Sequence, residues 1–144
     1  MSNDQFLYPS HDDFVQEAII AGRPLADAVR ELQSIYKADS RPWVVGFSGG
    51  KDSTVILSLT YYALKLLPPE ERHKHVYVVS SDTRVETPVV VDMIHQVLDS
   101  VNAQALQDQL PMTAHSVTPK VGETFWANLL GKGYPALTKA FRWC

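Results

Sequence analysis

Residues 43–55 read Trp43-Val44-Val45-Gly46-Phe47-Ser48-Gly49-Gly50-Lys51-Asp52-Ser53-Thr54-Val55. This is an apolar strand, a Ser-Gly-Gly-Lys-Asp-Ser-Thr turn and the start of an apolar helix. Such a junction makes an anion site, because the free N–H groups and the positive end of the helix dipole point at one spot. Gly49 and Gly50 let the backbone curl and approach a ligand where a Cβ would collide. Lys51 adds a full positive charge. Ser48, Ser53 and Thr54 supply hydroxyl donors, and Asp52 supplies a carboxylate able to hold a divalent cation. The plain alternative is an ordinary strand-to-helix turn with polar caps.

The flanking pattern is that of an α/β protein. A helix is expected over 53–66, with Val55, Ile56, Leu59, Tyr62, Ala63 and Leu66 on one apolar face. Val76-Tyr77-Val78-Val79 reads as a strand buried on both faces, as parallel strands are. Thr87 stands at the cap position before Pro88, which opens a helix over about 88–100 with Val90, Val91, Ile94, Val97, Leu98 and Val101 inward. Residues 111–117 offer a third strand. Strand, helix, strand, helix, strand at this spacing implies right-handed crossovers and a doubly wound parallel sheet. Ligands of such sheets sit beyond the carboxyl ends of the strands, where the glycine turn and Ser80-Ser81-Asp82-Thr83 both fall.

Upstream, residues 1–41 read as an N-terminal helical segment. A first short helix is expected from about His11 to near Gly22. A second has Pro24 in its first turn and Leu25, Val29, Leu32 and Ile35 as its stripe, with Tyr36 beside it. Asp39-Ser40-Arg41-Pro42 then breaks the chain. The nucleotide-binding domain is assigned to 42–144. His73-Lys74-His75, before the second strand, reads as a solvated loop.

Composition bounds the function. The chain has 144 residues, 45% of them apolar, enough for one core, and a formal net charge of −3, which excludes a globally basic nucleic-acid binder. No apolar run approaches membrane-helix length, and Met1-Ser2-Asn3-Asp4-Gln5 lacks the features of a signal peptide. A cytoplasmic protein without a membrane partner is expected. One cysteine excludes an internal disulfide framework.

Two further constellations carry charge. Ser81-Asp82-Thr83-Arg84-Val85-Glu86-Thr87 places Asp82 and Glu86 where they can bind ribose hydroxyls or share a magnesium ion. The C-terminal stretch interleaves Lys120, Lys132, Lys139 and Arg142, joined by Arg84, with Phe125, Trp126, Tyr134, Phe141 and Trp143. That mixture suits a nucleic-acid backbone with stacked bases; the alternative is a glycine-turned loop whose aromatics pack on the sheet edge.

The glycine turn is not the common phosphate loop. Gly46 and Gly50 are separated by only three residues, and Asp52 rather than a hydroxyl residue follows Lys51. Ser48-Gly49-Gly50-Lys51-Asp52-Ser53 resembles instead the pyrophosphate-loop signature S-G-G-x-D-S. The resemblance implies an adenine nucleotide alpha hydrolase-like fold and enzymes that cleave ATP to AMP and pyrophosphate, or relatives that reduce adenylylated sulfate. Asp82-Thr83 with Glu86-Thr87 resembles the D-T-G-x-x-x-x-E-T segment of the sulfonucleotide reductases, but carries Arg84 for the glycine and a shorter gap.

The run from Trp43 through Glu86-Thr87-Pro88, with Thr124-Phe125-Trp126, Gly131-Lys132-Gly133-Tyr134-Pro135 and Phe141-Arg142-Trp143-Cys144, resembles the DNA phosphorothioation sulfurtransferases of the Dnd system (DndC-type), within the phosphoadenylylsulfate reductase-like superfamily. That resemblance implies ATP-dependent activation of the DNA backbone for sulfur incorporation. Lys51 and Asp52 would act in catalysis, Asp52 holding Mg2+. Phe47, Ser48, Gly49, Gly50, Lys51, Asp52, Ser53, Thr54 and Asp82 would bind ATP. Cys144 matches one ligand of a [4Fe-4S] cluster, which needs about four thiolates and so belongs to a longer protein. The implied partners are DNA, a cysteine desulfurase and other phosphorothioation proteins. The fold implied has five parallel strands where three are legible here, so this chain reads as the N-terminal part of that protein. Readings that share the loop are a tRNA thiolase, an amide synthetase, a sulfonucleotide reductase and a non-catalytic nucleotide-binding module.

Overall fold

The structure, a computed structural model, describes residues 19–135 except Ala21. It begins with a two-residue hairpin, β1 (Ile19–Ile20) and β2 (Arg23–Pro24), turned at Gly22 with φ +77°. The expected first helix therefore does not run to Gly22; its residues 11–18 lie outside the described residues. Helix α1 (Leu25–Lys37) follows, with Pro24 as its cap residue rather than in its first turn. Leu25, Val29 and Tyr36 are its buried residues, whereas Ile35, expected in the stripe, is exposed.

The core is β3 (Trp43–Gly46), α2 (Lys51–Lys65), β4 (Val76–Ser81), α3 (Pro88–Gln107) and β5 (Met112–Val117). The three strands are parallel in the order β3-β4-β5, with Val45 beside Val78 and Val78 beside Ala114. Because strand order follows chain order, right-handed crossovers bring both helices to one face. Leu57 and Leu64 of α2 and Ile94, Leu98 and Ala105 of α3 pack in one cluster with Val45, Val76, Val78, Met112 and Ala114.

The other face corrects the expectation of a strand buried on both sides. Along β4, Val76 and Val78 are buried but Tyr77 is exposed and Val79 half-buried, and Val44 of β3 is 70% exposed. The strands alternate, as strands with one covered face do. The second helix layer that a doubly wound sheet requires is not among the described residues. Helix α2 is also turned from its expected face: Val55, Ile56 and Leu66 are exposed, and Leu57, Thr60 and Leu64 are buried instead. Leu59, Tyr62 and Ala63 face α1, packing with Leu25, Val29 and Leu32.

The two sheet edges differ. On β5, Asn102 of α3 accepts from Ala114 N–H at 2.7 Å and donates to Ala114 C=O at 3.0 Å, doing for that edge what another strand would. On β3, Trp43 N–H donates to His75 C=O, just before β4, at 3.0 Å and Phe47 N–H to Val79 C=O at 2.9 Å, so strand parity turns the peptide groups of Val44 and Gly46 outward. Nothing among the described residues pairs with that edge.

The amino ends of the strands are tied by buried polar contacts. Lys74 is 4% exposed, not solvated as its loop position implies. Its Nζ lies 2.9 Å from Asp39 Oδ1 and 4.9 and 4.8 Å from the ring centres of Tyr36 and Trp43. Tyr36 Oη donates to Lys74 C=O and accepts from Lys74 N–H at 3.0 Å. Arg72 donates to the carbonyls of Lys65, Leu67, Asp108 and Gln109, closing the C-terminal ends of α2 and α3 together.

Candidate functional site

Helix α2 begins at Lys51, two residues earlier than its apolar pattern indicates, so Lys51, Asp52 and Ser53 form its first turn. The turn before it is shaped by one glycine. Gly49 has φ +75°, in the left-handed region, and a Cβ there would lie 2.9 Å from Met93 Cε and 3.3 Å from Ile94 Cγ1 of α3. Gly50 is ordinary extended backbone, φ −81° and ψ 164°, and a Cβ on it would meet only Ser48 Oγ at 3.5 Å. The expectation that both glycines are needed to form the curl is thus corrected: the fold demands Gly49 alone.

The hydroxyls close the turn on itself. Ser53 Oγ and Thr54 Oγ1 each donate to Gly50 C=O at 2.9 Å, and Ser53 Oγ accepts from Ser48 N–H at 3.3 Å. Ser48 Oγ lies 3.2 Å from Ser53 Oγ. Thr54 N–H donates to Gly50 C=O at 3.0 Å and so starts the helical ladder. The backbone N–H groups of Gly49, Gly50, Lys51, Asp52 and Ser53 find no acceptor among the described residues. They form a nest of donors at the positive end of a 15-residue helix, suited to a phosphate chain. Lys51 and Asp52 are exposed beside it with no side-chain partner among the described residues.

Phe47 is placed differently from its expected role. Its ring is buried in the core, and its N–H is taken by Val79 C=O. It reaches a ligand only as part of the wall of a cleft of about 350 Å³, which opens past Gly49 and Thr54 between α2 and α3 and is lined also by Leu57, Tyr61 and Met93. A larger groove of about 580 Å³ continues between the helices past Lys65, Gln96 and Gln104, away from the loop. The first cleft is within the size range of ligand sites.

Asp82 follows β4 directly, its N–H extending the ladder to Val117 C=O at 2.9 Å. Its Oδ1 accepts from Arg84 N–H at 2.8 Å, and Arg84 has φ +65°. Glu86 accepts from Thr83 Oγ1 at 2.5 Å and from Val85 N–H at 3.4 Å. The two carboxylates serve their own loop rather than one another. Thr87 occupies the cap position of α3, but its side chain makes no capping bond. Phe125 and Trp126 stack edge to face at 5.0 Å; Lys139, Phe141, Arg142, Trp143 and Cys144 lie outside the described residues.

Magnesium fits the loop. No three His, Cys, Asp or Glu gather at a point among the described residues, but magnesium on a nucleotide needs only one or two carboxylates beside the phosphates, and Asp52 can supply one. An iron–sulfur cluster needs about four thiolates; this chain has one cysteine, Cys144, which lies outside the described residues. Among the described residues, no helix is long and apolar enough to cross a membrane.

Over 118 residues the chain is 29% identical to an uncharacterized protein of Methanocaldococcus jannaschii, a match covering 82% of this chain and 20% of that protein. The chain thus spans about a fifth of the length of the curated relative it matches. No family model and no solved structure matches the chain.

Proposed function

We propose that the chain binds MgATP at the glycine turn and takes part in AMP-forming activation of a DNA backbone phosphate for sulfur incorporation. The observation that carries the nucleotide half is the set of unpartnered N–H groups from Gly49 to Ser53, with Lys51 and Asp52 exposed beside them. The DNA half rests on the sequence resemblance.

In this reading the β and γ phosphates lie on the Gly49-Gly50 backbone and the start of α2. Asp52 holds magnesium, which offsets phosphate charge when bound. The adenosine lies beyond the strand ends, between the wall formed by Phe47 and Asp82. A non-bridging oxygen of the DNA phosphate attacks the α-phosphorus, and the bond to the bridging oxygen breaks. Pyrophosphate leaves with the electron pair, its charge neutralised by Lys51. The adenylylated diester is then attacked at phosphorus by a sulfur nucleophile, and AMP departs with the original oxygen. Preorganised charge of this kind contributes roughly 3–4 kcal/mol to a transition state, so Lys51→Ala should slow ATP cleavage about a hundredfold or more with folding intact.

The test is product analysis with ATP labelled at the α or the γ phosphate. AMP and pyrophosphate, increased by DNA, support the reading. ADP and phosphate would overturn it. ATP binding without turnover would favour the nucleotide-binding module, and sulfite release with thioredoxin the reductase.

A further inference from the structure

Of the three methionines in the chain, Met112 is 3% exposed in the core and Met1 lies outside the described residues. Met93, on α3, is 41% exposed. Oxidation turns an apolar thioether into a polar sulfoxide, and a sulfur open to solvent reacts before a buried one. Among the described residues, Met93 is therefore the methionine that a small oxidant can reach.

Met93 also stands against the glycine turn. A Cβ on Gly49 would lie 2.9 Å from Met93 Cε and 3.3 Å from Ile94 Cγ1. Ile94 belongs to the buried core cluster and is held there by close packing. Met93 is unbranched and adaptable. It lines both clefts between α2 and α3, together with Tyr61, Tyr62, Val97 and Val101. Its sulfur is one bond from the methyl group that faces Gly49.

The N–H groups from Gly49 to Ser53 find no acceptor among the described residues. A thioether beside them is only a weak acceptor, whereas a sulfoxide oxygen carries partial negative charge and accepts strongly. The step balances with a peroxide as oxidant. A sulfur lone pair attacks one peroxide oxygen, the O–O bond breaks, and sulfoxide and water result; sulfur is oxidised and the peroxide reduced. We propose that Met93 is an oxidation site whose sulfoxide oxygen takes a donor of the glycine turn and so competes with phosphate. The proposal deepens the nucleotide reading above and rests on it for the effect on MgATP. Phosphate then loses one hydrogen bond to a charged group, so MgATP binding weakens about tenfold.

The test treats the 144-residue chain with hydrogen peroxide and locates the added oxygen by peptide mass mapping. MgATP affinity is measured by calorimetry, and amide hydrogen exchange is followed from Gly49 to Ser53. Oxidation at Met93 should weaken MgATP binding about tenfold and slow exchange at one of these amides, which gains an acceptor. Methionine sulfoxide reductases acting on both epimers should reverse both changes. Met93→Leu should show neither change under peroxide. Met93→Gln, which carries a carbonyl oxygen on a chain of similar length, should show the weakened binding without peroxide. Met1 and Cys144 are present in every variant, so their oxidation cannot produce the difference. Unaltered affinity and exchange after full oxidation of Met93, or the same losses in Met93→Leu, would overturn the proposal. Failure of the nucleotide reading is seen separately. If the untreated protein binds no MgATP, that reading falls, and slowed or unslowed exchange decides whether the sulfoxide takes a donor. If MgATP binding survives full oxidation, the nucleotide reading stands and the oxidation site falls.

Discussion

Gly49 and Gly50 are adjacent, yet the structure asks different things of them. Gly49→Ala places a Cβ at φ +75° and against Ile94 at 3.3 Å, so it should cost about 1–3 kcal/mol in urea unfolding. Gly50 already has a conformation open to alanine. Gly50→Ala should therefore stabilise the fold by about 0.4–1 kcal/mol, while lowering ATP affinity at least about tenfold, because a methyl group then occupies the phosphate approach. Unchanged ATP affinity in a stable Gly50→Ala protein would remove that peptide from the site. The motif made Ser53 and Thr54 legible as hydroxyl donors, but not that both would donate to Gly50 C=O. Which acceptor a hydroxyl finds depends on the path of the turn, and that path follows from Gly49 packing on α3.

Helix α3 ends at an exposed residue in the left-handed conformation, Gln109 with φ 52°. Glycine is the usual occupant of such a position, so Gln109→Gly should raise stability by about 0.5–1 kcal/mol, read as a higher urea midpoint with an unchanged slope. Arg72 does the reverse service, donating to carbonyls at the ends of two helices. Arg72→Met keeps the aliphatic stem and loses those bonds, and should cost about 2–3 kcal/mol by the same measurement. Helical spacing located both ends of α2 within two residues and the start of α3, but ended α3 near residue 100, short of its observed end at Gln107. It misjudged the face of α2 because Val55, Ile56, Leu57, Leu59, Tyr62, Ala63, Leu64 and Leu66 nearly encircle the helix. An apolar residue can be chosen for burial only once the sheet and α1 have taken their sides.

For the molecule as a whole, the Lys74–Asp39 pair fastens α1 to the strands. Asp39 is 35% exposed at its side chain and also contacts Arg41, whereas Lys74 is buried. Removing the carboxylate strands a buried ammonium, so Asp39→Asn should destabilise more than Lys74→Met. The hydrogen bonds from Lys74, then Arg41, pull the Asp39 carboxyl down to about 2. A carboxyl depressed in the folded state contributes stability above its unfolded value of about 3.9, and that contribution is lost as pH falls through about 2. Between pH 4 and pH 2 the urea midpoint should fall less steeply in Asp39→Asn than in wild type. The sheet edges make another molecular-scale expectation. Amide exchange should be fast at Val44 and Gly46, which face the open edge, and slow at Val45, which bonds within the ladder. Equal protection at Val44 and Val45 would mean that the β3 edge is covered.

The chain by itself determined the parallel strand-helix-strand alternation and the position of the glycine turn between Phe47 and Thr54, at a helix start. These follow from local causes: two side-chain periodicities, glycine's missing Cβ and the unpaired N–H groups of a helix start. Tertiary structure alone decided that Lys74 is buried, that of Gly49 and Gly50 only the first must be glycine, that Asp82 and Glu86 serve their own loop, and that one face of the sheet is left open by the described residues. Each of these depends on what arrives from elsewhere in the chain: Tyr36 and Asp39 onto Lys74, Met93 and Ile94 onto Gly49, and both crossover helices onto the same side. Spacing records which residues repeat, but burial and pairing depend on contacts that spacing does not contain.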